Sequence, residues 1–97
     1  AKVVVIDNDE QTQVELQAWL GEDHAVLRYE RGALAVDYVL SERPDVVFLN
    51  LQLPDTNPLE ILSLISRGTL APPVVGLTTD QSTRTIVEAV RRGASDV

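Results

Sequence analysis

The chain has 97 residues, of which 44% are hydrophobic and 24% charged, and this fits one ordinary globular domain rather than a disordered chain. A net charge of -7 with only 8 scattered Lys and Arg residues argues against direct nucleic-acid binding, and the absence of cysteine excludes disulfides and thiolate chemistry. No apolar stretch approaches the roughly 18 residues of a membrane span, so we expect a cytoplasmic protein that does not enter a membrane.

Four apolar segments rich in β-branched residues predict β-strands. They are Val3 to Ile6, Ala25 to Tyr29, Val46 to Leu49 and Val74 to Leu77. Three of them are continuously apolar, which is typical of strands buried on both faces, as in a parallel sheet. An arginine interrupts the second segment, "AVLRYE", so we predict that this strand lies at an edge of the sheet.

A segment with helical spacing follows the first predicted strand. Its apolar residues recur at three- and four-residue steps and are Val14, Leu16, Trp19 and Leu20. Gly21 predicts the end of this helix. Asn8, followed three positions later by Gln11, predicts a capping box at its start, apart from the type of the first residue. We expect Trp19 to lie in the core or under a further helix of the chain.

Three more helices are predicted between and after the remaining strands. The second ends before Pro44, the third begins at about Pro58 and ends at Gly68, and the fourth spans Ser82 to Arg92 and is closed by Gly93. The apolar residues that define these helices are Leu34, Tyr38, Val39, Leu62, Ile65, Ile86, Val87 and Val90, with the last three predicted to face inward. Strands that alternate with helices predict right-handed βαβ crossovers and a three-layer α/β sandwich.

Polar residues follow three of the predicted strands. They are Asp7, Asn8 and Asp9 after the first strand, Asn50 after the third, and Thr78 and Thr79 after the fourth. The carboxyl ends of parallel strands meet at one edge of a sheet, and ligand sites of open α/β sheets lie beyond that edge. The sequence therefore predicts one polar site built from these groups.

Four segments in chain order resemble landmarks of the receiver domain of bacterial two-component response regulators. The segments are "VVVIDND", "PDVVFLNLQLPD", "PVVGLTTD" and "EAVRRGASD". The resemblance covers essentially the whole chain and implies a flavodoxin-like, CheY-like fold with strand order 2-1-3-4-5. The fifth strand, the last helix and the family's lysine would lie beyond Val97, so residues 1–97 are expected to form a receiver domain that is incomplete at its C-terminus.

The resemblance also implies a role for each polar residue at the strand ends. Asp7 matches the first acid of the family's magnesium-binding pair, and the second position is Asn8, an amide. Asn50 occupies the position of the aspartate that is phosphorylated, and Thr78 matches the hydroxyl that contacts the phosphoryl group. Gln52 falls where the family lends a backbone carbonyl to the metal. The implied metal residues are therefore Asp7, Asn8 and Gln52.

The amide at Asn50 changes the chemistry that this position can perform. Phosphoryl transfer to a side chain requires an anionic oxygen, and an asparagine has none. Magnesium prefers carboxylate oxygens, so we expect weak or absent metal binding, with Mg²⁺ as a cofactor only if the site is functional. Asp7, with Asp9 turned towards the site, would carry the remaining charge, and Asn8 could pair with Asn50. Pro58 replaces a glycine that is usual in the family, which predicts a differently shaped loop.

These observations favour a pseudo-receiver, a regulatory module rather than an enzyme. Its expected partners are an attached output domain, another receiver domain or a second copy of itself. One alternative is a phosphoacceptor receiver of a phosphorelay, controlling transcription, in which Asn50 replaces the acceptor aspartate. A nucleotide-binding α/β domain is a weaker alternative, because "DNDEQT" and no glycine-rich loop follows the first strand.

Simpler interpretations exist for the same residues. Asn50 can begin a loop, and Asp7 and Asp9 can be solvated acids at a helix start. Thr78 can cap the loop that leads to the fourth helix. His24, the only histidine, is expected to be solvated in a turn.

Overall fold

Parallel strands alternate with helices along the whole described chain. The computed structural model describes residues 1–54, 56–67, 71–78 and 83–95. In these ranges the strands are β1 (Lys2–Ile6), β2 (Ala25–Tyr29), β3 (Val46–Asn50) and β4 (Val74–Leu77), and the helices are α1 (Glu10–Leu20), α2 (Gly32–Glu42), α3 (Pro58–Ser66) and α4 (Thr83–Arg91). The predicted order of strands and helices is confirmed.

The strands form a parallel sheet in the order β2-β1-β3-β4. The predicted α/β fold, its strand order and the edge position of β2 are thereby confirmed. Alternate residues of β1 enter two cores on opposite faces of the sheet, since Val4 and Ile6 pack with α2 and α3 residues whereas Val3 and Val5 pack with Leu16 of α1. Burial on both faces explains why β1 is continuously apolar.

The helix ends follow local capping rules. Asp9, and not Asn8, is the N-cap of α1, and its side chain accepts a hydrogen bond from the Gln11 backbone N–H. The predicted capping box at Asn8 is therefore wrong by one residue, because Asp9 is the last extended residue before the helix. Gly21 ends α1 as predicted, at a φ of 84° that favours glycine.

The later helices also begin and end near their predicted residues. Asn57 caps α3 by accepting from the Leu59 N–H, and Pro58 is in its first turn as predicted. After α4, Gly93 adopts a φ of 116°, and the N–H of Ala94 donates to the Ala89 carbonyl at 3.0 Å. This six-to-one bond is part of a Schellman motif, so the predicted stop at Gly93 is confirmed. The predicted helix limits at residues 68 and 82 lie outside the described residues.

Some of the apolar residues that define the predicted helices are exposed in the structure. Trp19 is 90% exposed and Val14 is 53% exposed, because α1 rests on the sheet through Leu16 and Leu20. The placement of Trp19 in the core is therefore wrong, whereas its cover by a further helix of the chain stays a prediction. Leu34 of α2 is 60% exposed. The buried residues of α2 are Gly32, Ala35, Val36 and Val39, a stripe that leaves Leu34 on the outer side.

The fourth helix is rotated relative to the prediction. Ala89 is completely buried, whereas the residues predicted to face inward, Ile86, Val87 and Val90, are 38%, 40% and 54% exposed. On a helix Ala89 lies about 60° from Ile86 and 100° from Val90, so the face centred on Ala89 makes the contact with the core. Among the described residues, no helix is long and apolar enough to cross a membrane.

Candidate functional site

The polar residues at the carboxyl edge of the sheet are brought together by three adjacent strands. Asp7 directly follows β1, Asn50 is the last residue of β3, and Thr78 directly follows β4. Ile6 pairs with Leu49, so Asp7 lies level with Asn50, and Asn50 pairs with Leu77, so Thr78 lies one residue further along. Asp7 is only 5% exposed.

Asn50 is hydrogen-bonded through both ends of its carboxamide. Its Nδ2 donates to Asp7 Oδ1 at 3.0 Å, and its Oδ1 accepts from the Gln52 backbone N–H at 2.8 Å. A flipped amide would set its oxygen against the Asp7 carboxylate and its NH₂ against the Gln52 N–H, so the hydrogen bonds fix the orientation. The amide NH₂ of Asn50 therefore faces the buried carboxylate of Asp7.

Backbone hydrogen bonds hold this pair in place. Asp7 Oδ1 accepts a second bond, from the Asp9 N–H at 3.0 Å, and the Asp7 N–H donates to the Tyr29 carbonyl at 3.1 Å. The Leu51 N–H donates to the Leu77 carbonyl at 2.8 Å, which continues the ladder beyond Asn50. Both members of the pair are thus anchored to the sheet.

One contact of the site was not predicted from the sequence. Arg28 of β2 donates from Nη1 to the Asp7 backbone carbonyl at 3.3 Å. The sequence signal was the single arginine in an apolar strand, which we interpreted only as a sign of an edge strand. In the structure this arginine ties the edge strand to the loop that carries Asp7.

An open cavity of about 430 Å³ lies beside the pair. Its lining residues are Asp7, Thr12, Asn50, Gln52, Gly76, Leu77 and Thr78. A Cβ at Gly76 would come within 2.9 Å of Leu51 Cδ1, so a glycine lets the loop after β3 pack on β4. The described residues that line the cavity therefore supply one carboxylate, two carboxamides and two hydroxyls.

Asn8 and Asp9 lie elsewhere. Asn8 is exposed and lines a separate cavity of about 630 Å³ together with Glu30 and Arg31. The expected pairing of Asn8 with Asn50 is wrong, because Asn50 uses Asp7 as its partner. The expected turn of Asp9 towards the site is also wrong, because its carboxylate caps α1.

The hydrogen bonds of Asp7 and Asn50 compete with the binding of a divalent cation. Asp7 Oδ1 already accepts two N–H groups, and Asn50 presents its NH₂ to Asp7 while its oxygen accepts the Gln52 N–H. Magnesium needs oxygen ligands in a near-octahedral set. In the described part of the chain, no three His, Asp or Glu side chains gather where they could hold a metal.

A family model for the response regulator receiver domain matches residues 3–97. The chain belongs to this family. It is similar to the protein PilH of Pseudomonas aeruginosa, at 29% identity over 99% of this chain and 82% of PilH. It is also similar to the regulatory protein LuxO of Vibrio cholerae, at 34% identity over 67% of this chain and 14% of LuxO. This chain therefore spans most of PilH but only a small part of LuxO.

Solved receiver structures agree with the fold. The BeF₃-activated receiver domain of Klebsiella pneumoniae RstA has a TM-score of 0.85 and 30% identity, covering 99% of this chain and 82% of that one. The chain is thus the receiver domain of a response regulator in two-component signalling, a family of signalling modules.

Proposed function

We propose that this receiver is a pseudo-receiver, whose conformation is set by partner binding and not by aspartyl phosphorylation. The observation that carries the proposal is the Asn50 carboxamide at the end of β3, with its Nδ2 3.0 Å from Asp7 Oδ1. We take this position to be that of the family's acceptor aspartate. The roles of Asp7, Gln52 and Thr78 as remnants of a phosphorylation site are part of the same proposal.

The chemistry of an amide supports this. An acceptor must attack phosphorus with an oxygen that carries charge, and the product must be an acyl phosphate. The Asn50 oxygen is neutral and accepts the Gln52 N–H at 2.8 Å, and its nitrogen lone pair is delocalised into the carbonyl. Neither atom of the carboxamide is a nucleophile for phosphoryl transfer.

The hydrogen bond from Asn50 to Asp7 takes the place of the charge neutralisation that a metal ion provides in an ordinary acidic site. Carboxylates crowded at one strand edge repel one another, and a divalent cation or a hydrogen-bond donor relieves that repulsion. Here the amino group of Asn50 and the Asp9 N–H supply the donors. The pocket would be stable without magnesium, so we propose that this receiver requires no cofactor.

Regulation without phosphorylation requires only a partner that prefers one conformation. We propose an attached output domain or another receiver, including a second copy of this chain, as that partner. The support is the match to LuxO, a regulatory protein of which this chain spans 14%. The cytoplasmic location stays a prediction.

The test is exposure of the purified chain to acetyl phosphate and magnesium, followed by intact-mass measurement. We expect no phosphate adduct on the native chain. The native chain without phosphodonor gives the reference mass, and a receiver with an acceptor aspartate shows that the reagent is active. A stoichiometric adduct on the native chain, mapped to Asn50 or a neighbouring carboxylate, contradicts the proposal.

A second candidate is a phosphoacceptor receiver in which Asn50 stands in place of the acceptor aspartate. It is favoured by one observation, that Asp7, Gln52 and Thr78 line the same cavity as Asn50. Asn50→Asp should then give an adduct that depends on magnesium. If the Asn50→Asp chain takes up no phosphate, the rest of the pocket has also lost its function and this candidate is excluded.

A further inference from the structure

A groove between α2 and α3 lies apart from the Asn50 site. It encloses a cavity of about 370 Å³. Its lining residues are Ala33, Val36, Asp37, Thr56, Asn57, Glu60, Ile61 and Leu64. All of these residues are described, and none of them lines the cavity beside Asn50.

The two helices contribute matching stripes to this groove. Both connect parallel strands, so they run in the same direction. On each helix, residues separated by three- and four-residue steps form one face. These residues are 33, 36, 37 and 40 on α2, and 57, 60, 61 and 64 at the N-cap of α3 and along it. The groove therefore runs along the two helices and is not a local pit.

The floor of the groove is apolar and its borders are acidic. Val36 and Ile61 are buried at the floor, at 8% and 3% exposure, and belong to the main core. Asp37 follows Val36 on α2, whereas Glu60 precedes Ile61 on α3, and both carboxylates are exposed. This mirrored order puts one carboxylate on each side of the apolar floor.

The charges of these borders are not neutralised within the described chain. In residues 1–54, 56–67, 71–78 and 83–95, the ion pair that the structure shows is Lys2 with Glu42, at 3.7 Å, and neither of these residues lines the groove. Leu64, at 37% exposure, adds apolar surface to the groove, and Leu40 continues the stripe of α2 at 53% exposure. An apolar strip with an acid on each side is complementary to a helix that has an apolar face and cationic flanks.

We propose that the α2–α3 groove binds an amphipathic helix that carries Lys or Arg on both sides of its apolar face. Two parallel helices offer a groove into which the ridge of a third helix fits. Leucine-type side chains of the partner contact Val36, Ile61 and Leu64, and its cations pair with Asp37 and Glu60. This inference does not rest on the proposed pseudo-receiver function, since it uses no residue of the Asn50 site.

The test uses a synthetic peptide probe with leucine and lysine in a heptad pattern, added to the full ¹⁵N-labelled chain. We expect saturable binding in fluorescence anisotropy and backbone amide shifts that concentrate on α2 and α3. A matched peptide with glutamate at the lysine positions should bind at least about tenfold more weakly, since the borders would then repel it. Shifts that concentrate on α1 around Trp19, or equal binding of both peptides, overturn the proposal.

Charge-reversal variants locate the binding. The double variant Asp37→Lys with Glu60→Lys should lower the affinity for the lysine peptide about tenfold, because each exposed ion pair contributes modestly to the binding free energy. The control variant Glu22→Lys with Asp23→Lys makes the same change in net charge on the turn after α1. Its affinity for the lysine peptide should stay within about twofold of that of the native chain, because salt screens distant charges. Equal losses in both double variants would show attraction to net charge alone and overturn the proposal.

A second copy of the chain is the rival occupant. Sedimentation of the native chain and of Leu64→Ser distinguishes the two cases, because Leu64 is on the open side of the groove and far-UV circular dichroism can verify its fold. We expect that neither chain dimerises through this face. We also expect Leu64→Ser to bind the lysine peptide about tenfold more weakly than the native chain does. A dimer that Leu64→Ser dissociates would assign the groove to self-association and overturn the proposal.

Discussion

The substitution Asn50→Asp should destabilise the protein at neutral pH in the absence of divalent cations. In the native chain Asn50 Nδ2 donates to Asp7 Oδ1 at 3.0 Å, and Asp7 is 5% exposed. An aspartate at this position replaces the donor with a second carboxylate. The favourable bond becomes a repulsion between two charges that are held close together by their strands.

The magnitude follows from two terms. A hydrogen bond to a charged group contributes about 1.5–3 kcal/mol. Two charges about 4 Å apart near a protein surface interact by at most about 4 kcal/mol, and rotation of the new side chain into the open cavity reduces this. We therefore expect a loss of roughly 2–4 kcal/mol in the free energy of unfolding, which is large for a domain whose total is about 5–15 kcal/mol.

Urea unfolding followed by far-UV circular dichroism measures this loss. With a typical slope, the midpoint should fall by roughly 2 M urea. Part of the loss should return with millimolar magnesium, which can bridge two carboxylates.

A matched control makes the same chemical change at an exposed asparagine. Asn57 caps α3 through its side-chain oxygen, which accepts from the Leu59 N–H at 3.1 Å. Aspartate is an equally good N-cap and interacts favourably with the helix dipole, so Asn57→Asp should leave stability within about 0.5 kcal/mol or raise it slightly. If Asn50→Asp without metal at pH 7 is as stable as the native chain, the bond to Asp7 is not what holds the pocket together.

Three further predictions concern the fold and are measured by the same unfolding experiment. Leu62→Ala should lower the free energy of unfolding by about 2–5 kcal/mol, because Leu62 is completely buried. Leu34→Ala should change it by less than about 0.5 kcal/mol, because that side chain is 60% exposed. Equal losses would show that the core is misassigned. Asp9→Ala should cost about 1 kcal/mol through the lost cap of α1 and Asn8→Ala almost nothing, and the reverse ranking would restore the capping box predicted from the sequence. Gly76→Ala should cost about 1–3 kcal/mol because its Cβ would lie 2.9 Å from a leucine side chain in the loop after β3; a neutral effect would mean that this loop moves freely.

The strands and their order were predictable because burial on both faces leaves a strong sequence signal. Val3 to Ile6 are all apolar because alternate residues enter different cores, and a parallel sheet is the common structure that requires this. Arg28 correctly marked the edge strand. Its contact with the Asp7 carbonyl was not predicted, because a bond across 21 residues leaves no local pattern.

Side-chain directions were predicted less well, because a helix face depends on what packs against it. Ala89 is small and gave no sequence signal, yet it is completely buried in the main core, while Ile86 remains 38% exposed. In the site, the sequence predicted that Asp7 and Asn50 would lie near each other. The choice of Asp7 over Asn8 as the partner of Asn50 depends on the path of the first loop, which Asp9 determines by capping α1.

The most direct measurement of the central claim is the ¹⁵N NMR signal of the Asn50 side-chain amide, recorded while magnesium and acetyl phosphate are added. Because this NH₂ donates to Asp7 at 3.0 Å, we expect its two proton resonances to stay distinct and unshifted at saturating concentrations of both reagents. A saturable shift of these resonances, accompanied by a phosphate adduct in the intact mass, would contradict the account.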